Sequence, residues 1–315
     1  MMPLCYAIAN PDRLNRIPWV AKVIVFLSLL FIMGLVPSYA ICQPSNLDKS
    51  GLIDSFTAKG DIRRFAGETL YYDISFLWFS SAATAEVGMY EKDGQYYATL
   101  QAKTKGFVGF FTNNREHIYE TQFEVLNDGQ RLRAKSFKRK TIIGSHIKSS
   151  EHFFDYETRQ HTWKKFNYSD LIEVGKEAIP AGINFDDVLT VFYNTRNSVY
   201  GPLEKGANYT IHTIPKKGNK KILVKILGEE EEKKQWKIEG KDPSQNWLFD
   251  IIVPKEVFIT ESGKLRFWSS KHLIPMETNI QDYILLGDLI GVLRGRTQVY
   301  NSQSPFIISP NLASK

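Results

Sequence analysis

Six histidines are the side chains best suited to metal binding or proton transfer: His117, His146, His152, His161, His212 and His272. A zinc site needs its ligands to converge on one ion, which usually shows as H-E-x-x-H or a helical i, i+4 pair. Neither spacing occurs. His146 and His152 have the parity of one strand face, but a turn is expected near them. A nucleophile is no better marked: there is no G-x-S-x-G elbow, and Cys42 is the one cysteine beyond the N-terminal segment. Asp186-Asp187 is the most catalytic-looking acidic pair. Neighbours on a helix point about 100° apart and cannot flank one bond, so a role at the positive end of a helix explains them better. Gly106-x-x-Gly109 runs into two phenylalanines rather than a lysine-bearing helix, which excludes a phosphate loop. No catalytic residue, metal or cofactor is therefore expected.

What remains is binding chemistry. Tyr72, Phe76 and Trp78 share one face of a strand and, with Phe192 from a helix, are the ligand-binding candidates. Their rings serve either as core packing or as the wall of an apolar pocket. Two basic clusters, Lys138-Arg139-Lys140 and Lys216-Lys217 with Lys220-Lys221, would attract anionic lipid or envelope polysaccharide, or simply decorate hairpins and discourage edge pairing.

The elements that must position these residues are mostly strands. Leu70, Tyr72, Ile74, Phe76 and Trp78 alternate with Thr69, Tyr71, Asp73 and Ser75, the spacing of a strand with one buried face. Alternation continues through Ala83, Ala85, Val87 and Met89 and, after Asp93-Gly94, through Tyr96, Ala98, Leu100 and Ala102. Asp-Gly supplies the positive φ of a tight hairpin, and Asn127-Asp128-Gly129 signals another. Further strands are expected near 116–125, 131–143, 147–156, 160–166, 207–214, 221–228, 234–239, 248–260, 264–270, 274–282 and 284–296. Glu229 to Glu232 with Lys233-Lys234 reads as a solvated turn. One principal helix, about 185–197, is expected to open at Asn184 and to bury Phe185, Val188, Leu189 and Phe192 at i, i+3, i+4, i+7.

The N-terminus carries Arg13, Arg16 and Lys22 and then an uncharged apolar run from Val23 to Val36, followed by Pro37-Ser38-Tyr39-Ala40. A basic start, a short apolar stretch and small residues before a cut are the parts of a secretory signal peptide. Fourteen residues fall short of the roughly 20 that span a bilayer, so cleavage after Ala40 is expected over an uncleaved inner-membrane anchor. Ile41 before Cys42 disfavours lipidation. Removing the segment leaves one cysteine, which rules out an intramolecular disulfide, and lowers the net charge from +6 to +4. So mild a balance, spread over many turns, excludes nucleic acid as the expected partner. The expected layout is a signal peptide over 1–40, a flexible arm over 41–64, a single β-rich domain over 65–296 and a tail over 297–315.

Several of these residues carry a resemblance. Gly67-Glu68-x-Leu70-x-Tyr72-x-Ile74, then Asp187-Val188-Leu189 with Tyr193 and Arg196, Leu203-x-x-Gly206, Phe267-Trp268-Ser269 and Leu273-Ile274-Pro275 make the chain similar to the bacterial exported family known as domain of unknown function 3108. Lys271-His272 departs from that pattern, which usually has an acid there. The resemblance implies a mainly β fold of long antiparallel strands forming a curved, open, spiral-like β-barrel around the helix, in the periplasm, with no assigned activity. The expectation is a non-enzymatic cell-envelope protein that binds an apolar or amphiphilic envelope molecule or acts as a scaffold. The alternatives are an envelope hydrolase with scattered catalytic residues and a surface module for anionic lipid or glycan.

Overall fold

The computed structural model describes residues 57–77, 79–214, 221–239, 247–255, 257, 260–283 and 287–299. The signal segment, most of the arm, Trp78 and Lys216-Lys217 with Lys220 lie outside them. The fourteen strands among the described residues join one antiparallel sheet. The chain starts in its middle: β1 (Glu68–Phe76), β2 (Phe79–Lys92), β3 (Gln95–Thr104), β4 (Glu116–Leu126), β5 (Arg131–Ile143), β6 (His146–Asp155), β7 (Gln160–Asn167) and β8 (Asp170–Ala178) meander outward to one edge. It then crosses to the opposite edge and returns through β9 (Asn208–His212), β10 (Lys221–Ile226), β11 (Trp247–Ile252), β12 (Lys264–Ser269), β13 (Pro275–Tyr283) and β14 (Gly287–Gln298). β14 closes the circuit on β1. Among the described residues β8 and β9 do not pair, so the sheet stays open.

Hairpin chemistry explains the meander. Asp93 and Gly94 take φ of 51° and 71°, and Asn127 and Asp128 take 52° and 50°, the left-handed values that Asn, Asp and Gly tolerate. Cross-strand ring pairs such as Tyr90 and Tyr97, 5.3 Å apart, fix register.

Among the described residues three α-helices accompany the sheet: α1 (Gly106–Phe111), α2 (Val188–Arg196) and α3 (Glu229–Glu239). The segment joining edge β8 to edge β9 carries α2, which lies buried inside the curve. Its Leu189 and Tyr193 join a core with β1 to β6, while Val191 joins a second core with β9 to β12.

Four expectations need correction. The principal helix begins at Val188, not 185, because Asp187 rather than Asn184 caps it and Asp186 N–H donates to the His212 carbonyl, which keeps the preceding residues extended. Residues 234–239 are helix, not strand, and the supposed turn at Glu229 to Glu232 is the acidic first turn of α3. Strand β8 was unforeseen. The arm drawn to residue 64 ends earlier, since a 3-10 turn over Ile62–Phe65 buries Ile62 and Phe65 in the first core.

Candidate functional site

Helix α2 is held by polar clamps at both ends. At its start the Asp187 carboxylate accepts from Leu189 N–H at 2.9 Å, from the Thr190 hydroxyl at 2.5 Å and from the Thr121 hydroxyl of β4 at 2.7 Å. Asp186 accepts from Arg131 and from the Tyr200 hydroxyl, both at 2.8 Å. Burial outweighs these partners and pushes the Asp186 carboxyl up to about 6. In the last turn, Asn194 donates to the Leu132 carbonyl at 2.9 Å and accepts from Leu132 N–H at 3.0 Å. Strand β6 pairs with β5 only from Ser136 onward, so Asn194 stands in for a missing strand partner.

Arg196 completes the hold. Its guanidinium donates to Glu68 of β1 at 2.5 and 3.0 Å and to the Leu273 carbonyl at 3.0 Å, and Arg296 of β14 reaches Glu68 at 2.8 Å. Burial raises the Glu68 carboxyl, but the two arginines overcome it and hold it below its ordinary value. Tyr72 donates to the Pro275 carbonyl at 3.0 Å. Gly67, beside Glu68, has φ of 87°, and a Cβ there would lie 1.8 Å from the Val299 carbonyl oxygen. The motif residues Gly67, Glu68, Tyr72, Asp187, Arg196, Leu273 and Pro275 thus converge around the helix and join both halves of the sheet.

Between α2 and the strands β1 to β3 and β10 to β14 lies a partly open cavity of about 190 Å³. That exceeds the roughly 150 Å³ apolar cavity that admits a benzene ring. Its wall is aliphatic and aromatic, with Ile74, Val87, Val191, Phe192, Phe249 and Phe267 among the lining residues. Space arises where side chains are small. Gly291 of β14 sits in register between Ile74 of β1 and Thr278 of β13, and Ala85 of β2 lies opposite Tyr72. A glycine inside a central strand weakens packing and often marks close approach of something else. Among the described residues the polar side chains on this wall are Thr195, Arg196, Ser269 and Thr278 with the Tyr72 hydroxyl; the Thr195 hydroxyl is itself buried, with no hydrogen-bond partner.

Of the expected ligand-binding residues, Tyr72 and Phe192 line this cavity. Phe76 does not: it packs with Ala82 and Val108 in a separate cluster at the sheet's end. Trp78 falls outside the described residues. Lys138, Arg139 and Lys140 belong to strand β5, not to a turn.

The histidines meet differently from the sequence reading. His146 and His152 both lie in β6, but His152 Nδ1 faces His161 Nε2 of β7 at 2.9 Å, and His161 Nδ1 faces Glu177 of β8 at 2.9 Å. Burial lowers the His161 pKa against the pull of Glu177. Cross-strand diagonal contacts leave no sequence spacing to read. His152 and Ser150 line a recess of about 30 Å³, room for about one water and too small for a substrate. Among the described residues no three His, Cys, Asp or Glu side chains gather as a metal set.

An open antiparallel sheet curled around a clamped helix, with an apolar cavity beside it, defines a β-barrel-like protein. The chain belongs to the family described as protein of unknown function DUF3108, whose model matches residues 71–282. No curated protein matches it. Among solved structures it is similar to the β-barrel-like protein of domain of unknown function DUF1849 from Brucella abortus, at 10% identity over 76% of this chain and 100% of that one, with a TM-score of 0.40.

Proposed function

We propose that this is an exported, non-enzymatic protein of the cell envelope that takes an apolar or amphiphilic molecule into the cavity between α2 and the sheet. The observation that carries the reading is the cavity itself. Apolar side chains line it from every element that contributes to it. Export is supported by the basic start, the apolar run Val23 to Val36 and the small residues ending at Ala40. No helix among the described residues is long and apolar enough to cross a membrane. A non-enzymatic role accords with the buried carboxylates Asp187 and Glu68 being occupied in clamping a helix.

The test fills the cavity. A Cβ on Gly291 would sit 3.9 Å from Ile74 and Thr278, ordinary contact distance, so Gly291→Val should fold normally and occupy the space a ligand needs. Wild-type protein should yield an acyl or polycyclic molecule on organic extraction and mass spectrometry, and should bind an apolar fluorophore. The variant should bind that fluorophore at least about tenfold more weakly with an unchanged or higher melting temperature. Equal binding by both proteins, or a bare wild type that binds no fluorophore, would overturn the reading.

A further inference from the structure

At the end of the sheet where β1 turns into β2 and β3 into α1, large apolar side chains face solvent. Leu77 is 55% exposed, Phe107 49% and Phe110 59%. The turn that shows them is firmly built. Gly109 N–H donates to the Lys105 carbonyl, the Thr112 N–H and hydroxyl both donate to the Val108 carbonyl, and Asn114 N–H donates to the Gly109 carbonyl. The Phe107 ring lies 5.9 Å from Phe79 and 4.4 Å from Phe111. Val108 alone of the helix's large side chains is buried, against Phe76 and Ala82. A rigid turn that holds phenylalanines outward in one patch marks an interaction surface.

Charge and position say what meets it. From Ala102 to Arg115 the chain carries Lys103, Lys105 and Arg115 and no acid. Lys103 and Lys105 are exposed and precede the rings directly in the chain. Of the neighbouring acids Asp73 is paired with Arg294 at 2.7 Å, which leaves Lys105, 3.9 Å away, to face outward, while Glu116 and Asp288 bond to the neutral amides of Gln101 and Asn279 and keep their charge. Protruding aromatics flanked by long basic side chains fit a lipid surface, where rings enter the acyl boundary and the basic heads stay among phosphates. The patch also adjoins the cavity. Leu289 of β14 lines the cavity and packs against the cluster beneath α1, so one apolar wall runs from the patch into the interior.

We infer that the β1–β2 turn and α1 seat the protein on a bilayer, with Leu77, Phe107 and Phe110 entering the acyl boundary and Lys103 and Lys105 meeting anionic headgroups. This docking does not require that the cavity be filled. The end of the molecule that touches lipid is then the end at which the cavity wall begins.

The test uses the whole protein as recovered from the exported fraction, with vesicles of phosphatidylethanolamine and phosphatidylglycerol. Vesicles should slow amide hydrogen exchange over residues 104–112 and sediment the protein. Phe107→Ser with Phe110→Ser should lower the vesicle partition at least about tenfold, since two exposed rings lose their burial, while the melting temperature holds. Phe110→Ser alone should give part of that loss. Gly291→Val should dock as well as wild type even where it has lost the fluorophore, which separates this inference from the cavity reading. Unchanged exchange at 104–112 on vesicles, or equal partition of the double variant, would overturn it; protection of that segment by a protein extract but not by vesicles would assign the patch to a protein partner instead.

Discussion

A half-buried histidine and a buried aspartate pull stability in opposite directions with pH. Burial, with Arg139 and Arg115 nearby, lowers the His117 pKa to about 4, so the unfolded chain binds a proton that the folded one refuses. The stability His117 permits is therefore complete above its ordinary value of 6.5 and declines as pH falls from there toward about 4. Asp186 acts in reverse. Its folded carboxyl, raised to about 6, holds a proton that the unfolded chain releases near 3.8, so its contribution declines as pH rises between those values. The prediction is a split: His117→Gln should flatten the loss of melting temperature between pH 6.5 and 4, retaining on the order of 2 kcal/mol at the acid end. Asp186→Asn should steepen that loss. Melting curves of both variants across that range check it, and parallel profiles for the two would refute the assignment.

Among the elements, α2 matters most, because its side chains make contacts normally left to backbone. Asn194→Ala would strip the Leu132 N–H and carbonyl of their partners at a place where β6 does not reach. Each orphaned buried group costs roughly 1–3 kcal/mol, so denaturant unfolding should register a loss of about 2–5 kcal/mol; a loss under 1 kcal/mol would mean water replaces the amide. Asn194 also shows the limit of sequence reading. Period-two alternation exposed most strands, because one buried face repeats every second residue, and hairpin glycines placed several of their turns. Helix α2 was visible through Val188, Leu189 and Phe192, but its start was misplaced because Asn184, Asp186 and Asp187 are all good caps and only the His212 carbonyl selects among them. Strand β8 shows Leu171, Ile172 and Val174 to solvent, so it has no alternating face to detect. The cavity was only half legible: Tyr72 and Phe192 announce a ring-lined interior, whereas the space depends on Gly291 and Ala85, whose significance appears only in register.

At the scale of the whole molecule, the circuit that brings β14 back to β1 buries the two ends of the domain in mid-sheet and displaces the vulnerability to β8 and β9. An unpaired edge presents free backbone groups to any other strand, and charged residues or covering elements usually blunt it. Strand β8 does so incompletely. Asp170, Glu173, Lys176 and Glu177 interrupt it, yet Leu171, Ile172 and Val174 are each more than half exposed, on both faces. The edge should therefore pair with its like at high concentration, while β9, only five residues long, offers little. Ile172→Lys with Val174→Lys places a charge on each of two successive outward positions without touching a core residue, so stability should shift by no more than about 0.5 kcal/mol per site. Sedimentation velocity over a concentration series should show wild-type protein associating reversibly and the double variant remaining monomeric. Fluorophore binding in the cavity should be unaffected, because β8 contributes nothing to its wall. Association that persists unchanged in the variant would place the contact elsewhere, with the exposed phenylalanines of α1 the first surface to substitute next.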